Sequence, residues 1–141
     1  MNTKKLQAEL EARGLIAQTG GGELADVLNE KRKMYVGVDP TADSMHMGNL
    51  VPIILLKHLS DAGHTPFLLV GGATGMIGDP KPDSERQLKT IAEIEHNVAK
   101  LRVQAEAFFA GTGADIEFVN NHQWLGSLKL VDFLRDIGKH F

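Results

Sequence analysis

The sequence contains no cysteine, one tryptophan and one tyrosine in 141 residues. Without thiols there is no disulfide and no thiolate metal site, and the six histidines lie scattered, with no pair at metal-ligand spacing on one helix. No protein-bound metal is expected. No apolar run reaches the roughly 18 residues that a membrane-spanning helix needs, and the N-terminal MNTKKLQAELEARG lacks the apolar segment of a signal peptide. The expectation is a cytoplasmic protein with no membrane partner. Positive charge is also in short supply: Lys and Arg number 15 against 18 Asp and Glu, for a net charge of −3. No long basic face advertises nucleic acid, so RNA contacts would have to be local or belong to other parts of a longer protein. What remains, at 43% hydrophobic and 23% charged, is the composition of about one ordinary globular domain.

The most informative stretch is Met34 to Leu50, MYVGVDPTADSMHMGNL. Met34, Tyr35, Val36 and Val38 are β-formers that stop at Asp39, because Pro40 biases the residue before it out of the helical region. The apolar run Leu50, Val51, Ile53, Ile54, Leu55, Leu56 and Leu59 is too long for an ordinary strand and has helical spacing. A strand, a loop and a helix result. In open α/β sheets ligands collect where strand carboxyl ends meet helix amino ends, and unpaired N–H groups with the helix dipole favour anions there. Thr41, Ser44, His46 and Asn49 carry groups able to donate to phosphate oxygens, and Gly48 keeps no side chain in the way. Taken alone, Ser44 as a helix cap and His46 as a surface histidine would be the commoner meaning of such residues.

On either side the pattern repeats. Lys4 to Arg13 reads as a short amphipathic helix ended by Gly14, and Glu23 to Lys33 as a second, separated by the glycine-rich 17–22. Thr65 to Val70 is a second strand, apolar throughout as in a parallel sheet covered on both faces. GGATGMIGDP follows, with glycines at 71, 72, 75 and 78, a tight turn suited to close approach of backbone to a ligand. It is neither a Walker A loop nor a G-x-G-x-x-G fingerprint. Leu88 to Ala110 is predicted as a long helix with Ile91, Ile94, Val98, Leu101, Ala105 and Phe108 along its buried stripe, and Asp115 to Val119 as a third strand. Asn120 and Asn121 place two amides at that strand's end, with Asn121 the favoured ligand contact, and Leu125 to Ile137 is predicted as a closing helix. The fold class is α/β: the first half of a doubly wound, Rossmann-like parallel sheet over 34–141, preceded by N-terminal helices over 1–33 that pack on it. A strand at the edge of half a sheet leaves hydrogen-bonding groups unpaired, so a second half of the sheet is expected beyond Phe141.

PTADSMHMGNL resembles the His-x-Gly-His signature of class I aminoacyl-tRNA synthetases, with Asn in the last place. YVGVDPTADS, GGATGMIGDP, the Ser-Glu-Arg of KPDSER, RGL-x-x-Q-T at Arg13 to Thr19 and FLRDIGKHF are similar to tyrosyl-tRNA synthetases in particular, so that the resemblance runs along essentially the whole chain. It implies activation of L-tyrosine by ATP to tyrosyl-adenylate and transfer to tRNA(Tyr), in a homodimeric parent. It also implies roles: Thr41 and His46 as donors to the phosphates, Asn49 at ribose or phosphate, Arg86 at the triphosphate, Gly37 and Asp39 lining the adenylate, and Gly48 leaving room for adenine. Tyr35 would meet the substrate phenol and Asp79 its ammonium, with Thr74 and Asn121 near the tyrosine pocket. Mg²⁺ would travel with ATP rather than sit on protein ligands.

Three departures qualify this. Val36 stands where a cysteine is frequent and Asn49 where histidine is usual, and one residue fewer separates Gly-Asp-Pro from Ser-Glu-Arg, so no role passes to Lys81. Two other readings compete. A nucleotidylyltransferase could use a similar His-x-Gly-His helix start, but it gives no reason for GGATGMIGDP or Tyr35. A non-catalytic packing or dimerisation module is the alternative for the 141 residues taken alone.

Overall fold

The structure is a computed structural model that describes residues 3–78 and 88–141. Helices α1 (Thr3–Ala12) and α2 (Leu24–Asn29) precede strand β1 (Lys33–Val38). The second helix is shorter than its composition predicts, because Lys31 and Arg32 are engaged by the far end of the next helix. Arg32 N–H donates to His64 Nδ1, its carbonyl accepts from Thr65 N–H at 2.9 Å, and Lys31 Nζ donates to the Ala62 carbonyl. Tertiary hydrogen bonds outweigh a few tenths of a kcal/mol of helix propensity per residue.

Helix α3 (Met47–Asp61) leads to β2 (Thr65–Val70), the short α4 (Thr74–Ile77) and the long α5 (Ile91–Thr112). Then come β3 (Glu117–Asn120), α6 (His122–Leu125), α7 (Leu130–Asp136) and a 3₁₀ turn at Gly138–His140. Helix α5 starts three residues later than the apolar pattern predicts, since Thr90 caps it: its hydroxyl accepts from Glu93 N–H and the Glu93 carboxylate accepts from Thr90 N–H. The helix expected over 125–137 begins only at Leu130, since Leu125 ends the short α6 and residues 126–129 lie outside both helices, with the Ser127 hydroxyl donating to the Trp124 carbonyl.

The three strands are parallel in the order β1-β2-β3, with Tyr35 beside Phe67, Val38 beside Val70, and Val70 beside Asn120. Right-handed crossovers stepping twice in the same direction put α3 and α5 on the same face. There Val38, Leu68 and Val70 close a core with Ile53 and Leu56 of α3 and Leu101, Ala105 and Phe109 of α5. The opposite face holds Tyr35, Gly37, Phe67, Leu69 and Val119. Among the described residues it is not covered by a helix layer, which corrects the expectation that β2 is covered on both faces. A cavity of about 340 Å³ lies on it, lined by Tyr35, Phe67, Leu69, Val119 and Trp124.

A second cluster joins α1 and α2 to the C-terminal end of α3 through Leu6, Leu10, Leu28, Leu59 and Ala62. The N-terminal helices thus brace the end of α3 remote from its amino terminus. Among the described residues no helix is long and apolar enough to cross a membrane.

Candidate active site

The carboxyl ends of the three strands are tied to one another through the loops that leave them. Gly71 N–H donates to the Val38 carbonyl, and Gly72 and Asn121 N–H both donate to the Val70 carbonyl, each at 3.0 Å. The loops after β1, β2 and β3 therefore form one rim. Its closeness explains two glycines: a Cβ at Gly71 would collide with Asp39 Oδ1 and Thr74 Oγ1, and one at Gly72 would collide with Asn120 Oδ1. Asp39, Thr74 and Asn120 are thereby gathered over bare backbone.

Asn121 is buried in this rim, 6% exposed. Its Oδ1 accepts from Ala73 N–H at 2.8 Å and its Nδ2 donates to Thr74 Oγ1 at 3.1 Å. Both ends of the amide are engaged, so Asn121 holds the loop that carries Thr74 rather than presenting a free polar group. The sequence pattern pointed to it as a direct ligand contact, and the geometry gives it this supporting position.

Pro40 is fully buried. A Cβ at Gly75 would lie 3.1 Å from its ring and 3.4 Å from Ile94 Cδ1, so the ring lies against the bare backbone of α4 at Gly75. Its carbonyl accepts from Asn97 Nδ2 of α5 at 2.9 Å. At the far end of the same loop, Met45 N–H donates to Gln104 Oε1 of α5 at 2.8 Å. Neither Asn97 nor Gln104 was singled out from sequence. The available signal was Asn97 itself, an amide in line with the apolar stripe between Ile94 and Leu101.

The loop ends on the amino terminus of α3, and His46, not Ser44, is its cap. Its Nδ1 accepts from Gly48 N–H at 3.1 Å, while its own N–H donates to Asn49 Oδ1 at 3.1 Å, a reciprocal capping box. The arrangement fixes the chemistry of both side chains. With Nδ1 acting as acceptor, the neutral imidazole carries its proton on Nε2, and with Oδ1 occupied the Asn49 amide keeps its NH₂ as donor. Neither donor has a hydrogen-bond partner among the described residues, and both stand at the positive end of a 15-residue helix. A Cβ at Gly48 would lie 2.9 Å from His46 Cε1, so the space left by this glycine is filled by the cap's own ring.

Thr41 lies exposed earlier in the loop, its N–H donating to the Asp39 carbonyl at 2.8 Å. Tyr35 and Gly37 are on the other side of the rim, on the open sheet face: Tyr35 is 71% exposed, and nothing lies within 4 Å of a Cβ built on Gly37. Asp79 and Arg86 lie outside the described residues. The structure thus brings Asp39, Thr41, His46, Gly48, Asn49, Thr74 and Asn121 to one end of the sheet, with Tyr35 and Gly37 along the adjoining face.

Parallel strands whose carboxyl ends meet beside a donor-rich helix amino terminus place the chain in the open-sheet class of α/β proteins, in which ligands bind at such an edge. The family model of class I tRNA synthetases (W and Y) matches residues 28–141, and the chain belongs to that family. Within it the similarity is to the tyrosine enzymes: the chain is 52% identical to the tyrosine-tRNA ligase of Chromobacterium violaceum over 100% of its own length and 34% of that protein's. To the tyrosine-tRNA ligase of Aliivibrio salmonicida it is 50% identical, again over 34% of the relative. Among solved structures, a C-terminally truncated mitochondrial tyrosyl-tRNA synthetase of Aspergillus nidulans superposes with a TM-score of 0.78 at 29% identity, covering 96% of this chain and 42% of the other. The chain therefore spans about a third of the length of the curated relatives it matches, 34% in the first two.

Proposed function

We propose that this chain is the tyrosine- and nucleotide-binding part of a tyrosine-tRNA ligase, joining L-tyrosine to ATP as tyrosyl-adenylate and pyrophosphate before transfer to tRNA(Tyr). The observation that carries the reading is the capping box at the amino terminus of α3, which leaves the His46 Nε2–H and the Asn49 NH₂ as donors at the end of a helix dipole. Residues 34–141 would be the first half of the catalytic domain and residues 1–33 its packing brace.

The reaction asks little covalent chemistry of the protein. The tyrosine carboxylate attacks the α-phosphorus, the bond to the bridging oxygen breaks, and pyrophosphate leaves with the electron pair. Acceleration comes from alignment and from donors placed where negative charge grows on the leaving group. Thr41 and His46 are the proposed donors, Asn49 supports ribose or phosphate, Arg86 supports the triphosphate, and Gly37 and Asp39 line the adenylate. Tyr35 hydrogen-bonds the substrate phenol, Asp79 pairs with its ammonium, and Thr74, held by Asn121, borders the same pocket. Mg²⁺ is proposed to arrive on the triphosphate rather than on protein ligands. The working form is proposed to be cytoplasmic and homodimeric, with tRNA contacts beyond these residues.

Tyrosine-dependent exchange of pyrophosphate into ATP is the test, made on a chimera of this chain with the remainder of the Chromobacterium violaceum ligase. Exchange that needs tyrosine is expected. Exchange that needs instead a phosphorylated small molecule would turn the reading to a nucleotidylyltransferase.

A further inference from the structure

Helix α5 hydrogen-bonds the loop after β1 at two places, each time through a side-chain amide. Asn97 and Gln104 are seven residues apart, two turns, and so share one helix face. Asn97 is buried and donates to the Pro40 carbonyl at 2.9 Å, at the start of the loop. Gln104 is exposed and accepts from Met45 N–H at 2.8 Å, at its end, one residue before the helix cap. Between the two lie Thr41 and Ser44, both exposed. An irregular loop has no ladder to hold its backbone, so a donor to its first carbonyl and an acceptor for its last N–H determine where the intervening residues stand.

From this geometry we infer that Asn97 and Gln104 are positioning residues that clamp the two ends of the 40–45 loop and so set the distance from Thr41 to His46. The inference rests on the proposed nucleotide site. Neither amide touches the proposed ligand; each acts through the backbone it holds. The rigid part is the scaffold helix, whose Leu101 and Ala105 are buried in the core between and beside the two amides. Loss of either contact leaves the helix in place and frees the loop.

The clamp has a chemical direction that packing alone would not have. Asn97→Asp keeps the shape but replaces the donor with an oxygen facing the Pro40 carbonyl, whereas Gln104→Glu keeps an acceptor for Met45 N–H. Both add the same single negative charge to the same helix face. Gln104→Met removes the acceptor at an exposed position without adding charge, and so guards against misfolding of Asn97→Asp. Hydrogen exchange of the 141-residue chain, read on peptides spanning 39–49 and on α5, is the first measurement. Asn97→Asp and Gln104→Met are expected to speed exchange in the loop by about three- to tenfold, the weight of one net hydrogen bond, while Gln104→Glu and the helix stay as in the parent. Equal exchange in Asn97→Asp, Gln104→Met and Gln104→Glu overturns the clamp. The second measurement is adenylation by the chimera. Loosening the loop should lower kcat/KM for ATP by about ten- to a hundredfold, with the Kd for tyrosine unmoved. If His46→Ala slows adenylation and the loosened variants do not, the positioning role falls and the active-site reading stands. If His46→Ala is itself without effect, the active-site reading falls and exchange alone decides the clamp.

Discussion

Imidazole is an uncommon helix cap, Ser, Thr, Asp and Asn being preferred, and at position 46 the choice ties stability to chemistry. His46→Ala removes the cap of α3 together with the proposed donor, so it should cost about 1 kcal/mol of stability as well as activity. His46→Asn separates the two, because an amide oxygen can still accept from Gly48 N–H while nothing reaches as far as Nε2. In the chimera we expect His46→Asn to unfold at nearly the parental temperature, yet to form adenylate about a hundred to a thousand times more slowly with tyrosine affinity little changed. A large loss of tyrosine binding would instead make His46 structural. On the open sheet face, Tyr35→Phe should erode the preference for tyrosine over phenylalanine, since discrimination depends on polar groups left unpaired by the wrong substrate. Adenylate formation measured with each amino acid decides it, and an unchanged ratio removes Tyr35 from the pocket. The positions of His46 and Asn49 at a helix amino terminus, and of Thr41 in the loop before it, were legible in the sequence. That His46 and Asn49 cap each other was not, because the preference for Ser as a cap points to Ser44.

Side-chain and backbone hydrogen bonds join three elements where α2 gives way to β1 beside the end of α3. Here His64 is buried, its Nδ1 accepting from Arg32 N–H, and Lys31 lies over Gly63, whose positive φ of 87° suits the turn into β2. Burial pushes the His64 imidazole below its ordinary 6.5, and the cationic Lys31 and Arg32 push it the same way. A histidine with a lowered folded pKa binds more protons when unfolded, so stability is full above pH 6.5 and falls as the pH drops from 6.5 towards the lowered folded value. His64→Asn keeps an acceptor for Arg32 N–H and removes the titration. Its urea midpoint should therefore fall less than the parent's between about pH 7.5 and about pH 5.5. Equal falls would assign the acid sensitivity to other groups. The same junction shows why boundaries were harder to read than elements. A long apolar stripe announces α5, but its start is set by the reciprocal bonds of Thr90 and Glu93, and α2 is cut short by partners more than 30 residues away, at Ala62 and His64. Local pattern carries the first kind of information and cannot carry the second.

At the scale of the whole molecule, the sheet is finished on one side only. Parallel strands are stable when both faces and both edges are occupied, yet among the described residues the face bearing Tyr35, Phe67, Leu69 and Val119 lacks a covering layer, and β1 and β3 each have one unpaired edge. Continuous apolar strands pointed to two-sided cover, and the composition of β2 is still that of a strand meant to be covered. The closing helix and the residue after the 3₁₀ turn add to the exposure: Leu130, Val131 and Leu134 of α7, and Phe141, are largely uncovered. Apolar surface of this extent drives association, because removing it from water contributes roughly 25 cal/mol per Å². The relatives are about three times as long, the chain spanning 34% of each. We therefore expect the 141-residue chain on its own to sediment as concentration-dependent oligomers and to leave tRNA(Tyr) uncharged. The chimera, with the remaining length supplied, should sediment as a single species and charge it. Sedimentation velocity across a range of concentrations, with aminoacylation of tRNA on the same samples, tests both halves. A monomeric 141-residue chain that charges tRNA would mean that the open face is complete as it stands and that the whole active site lies within these residues.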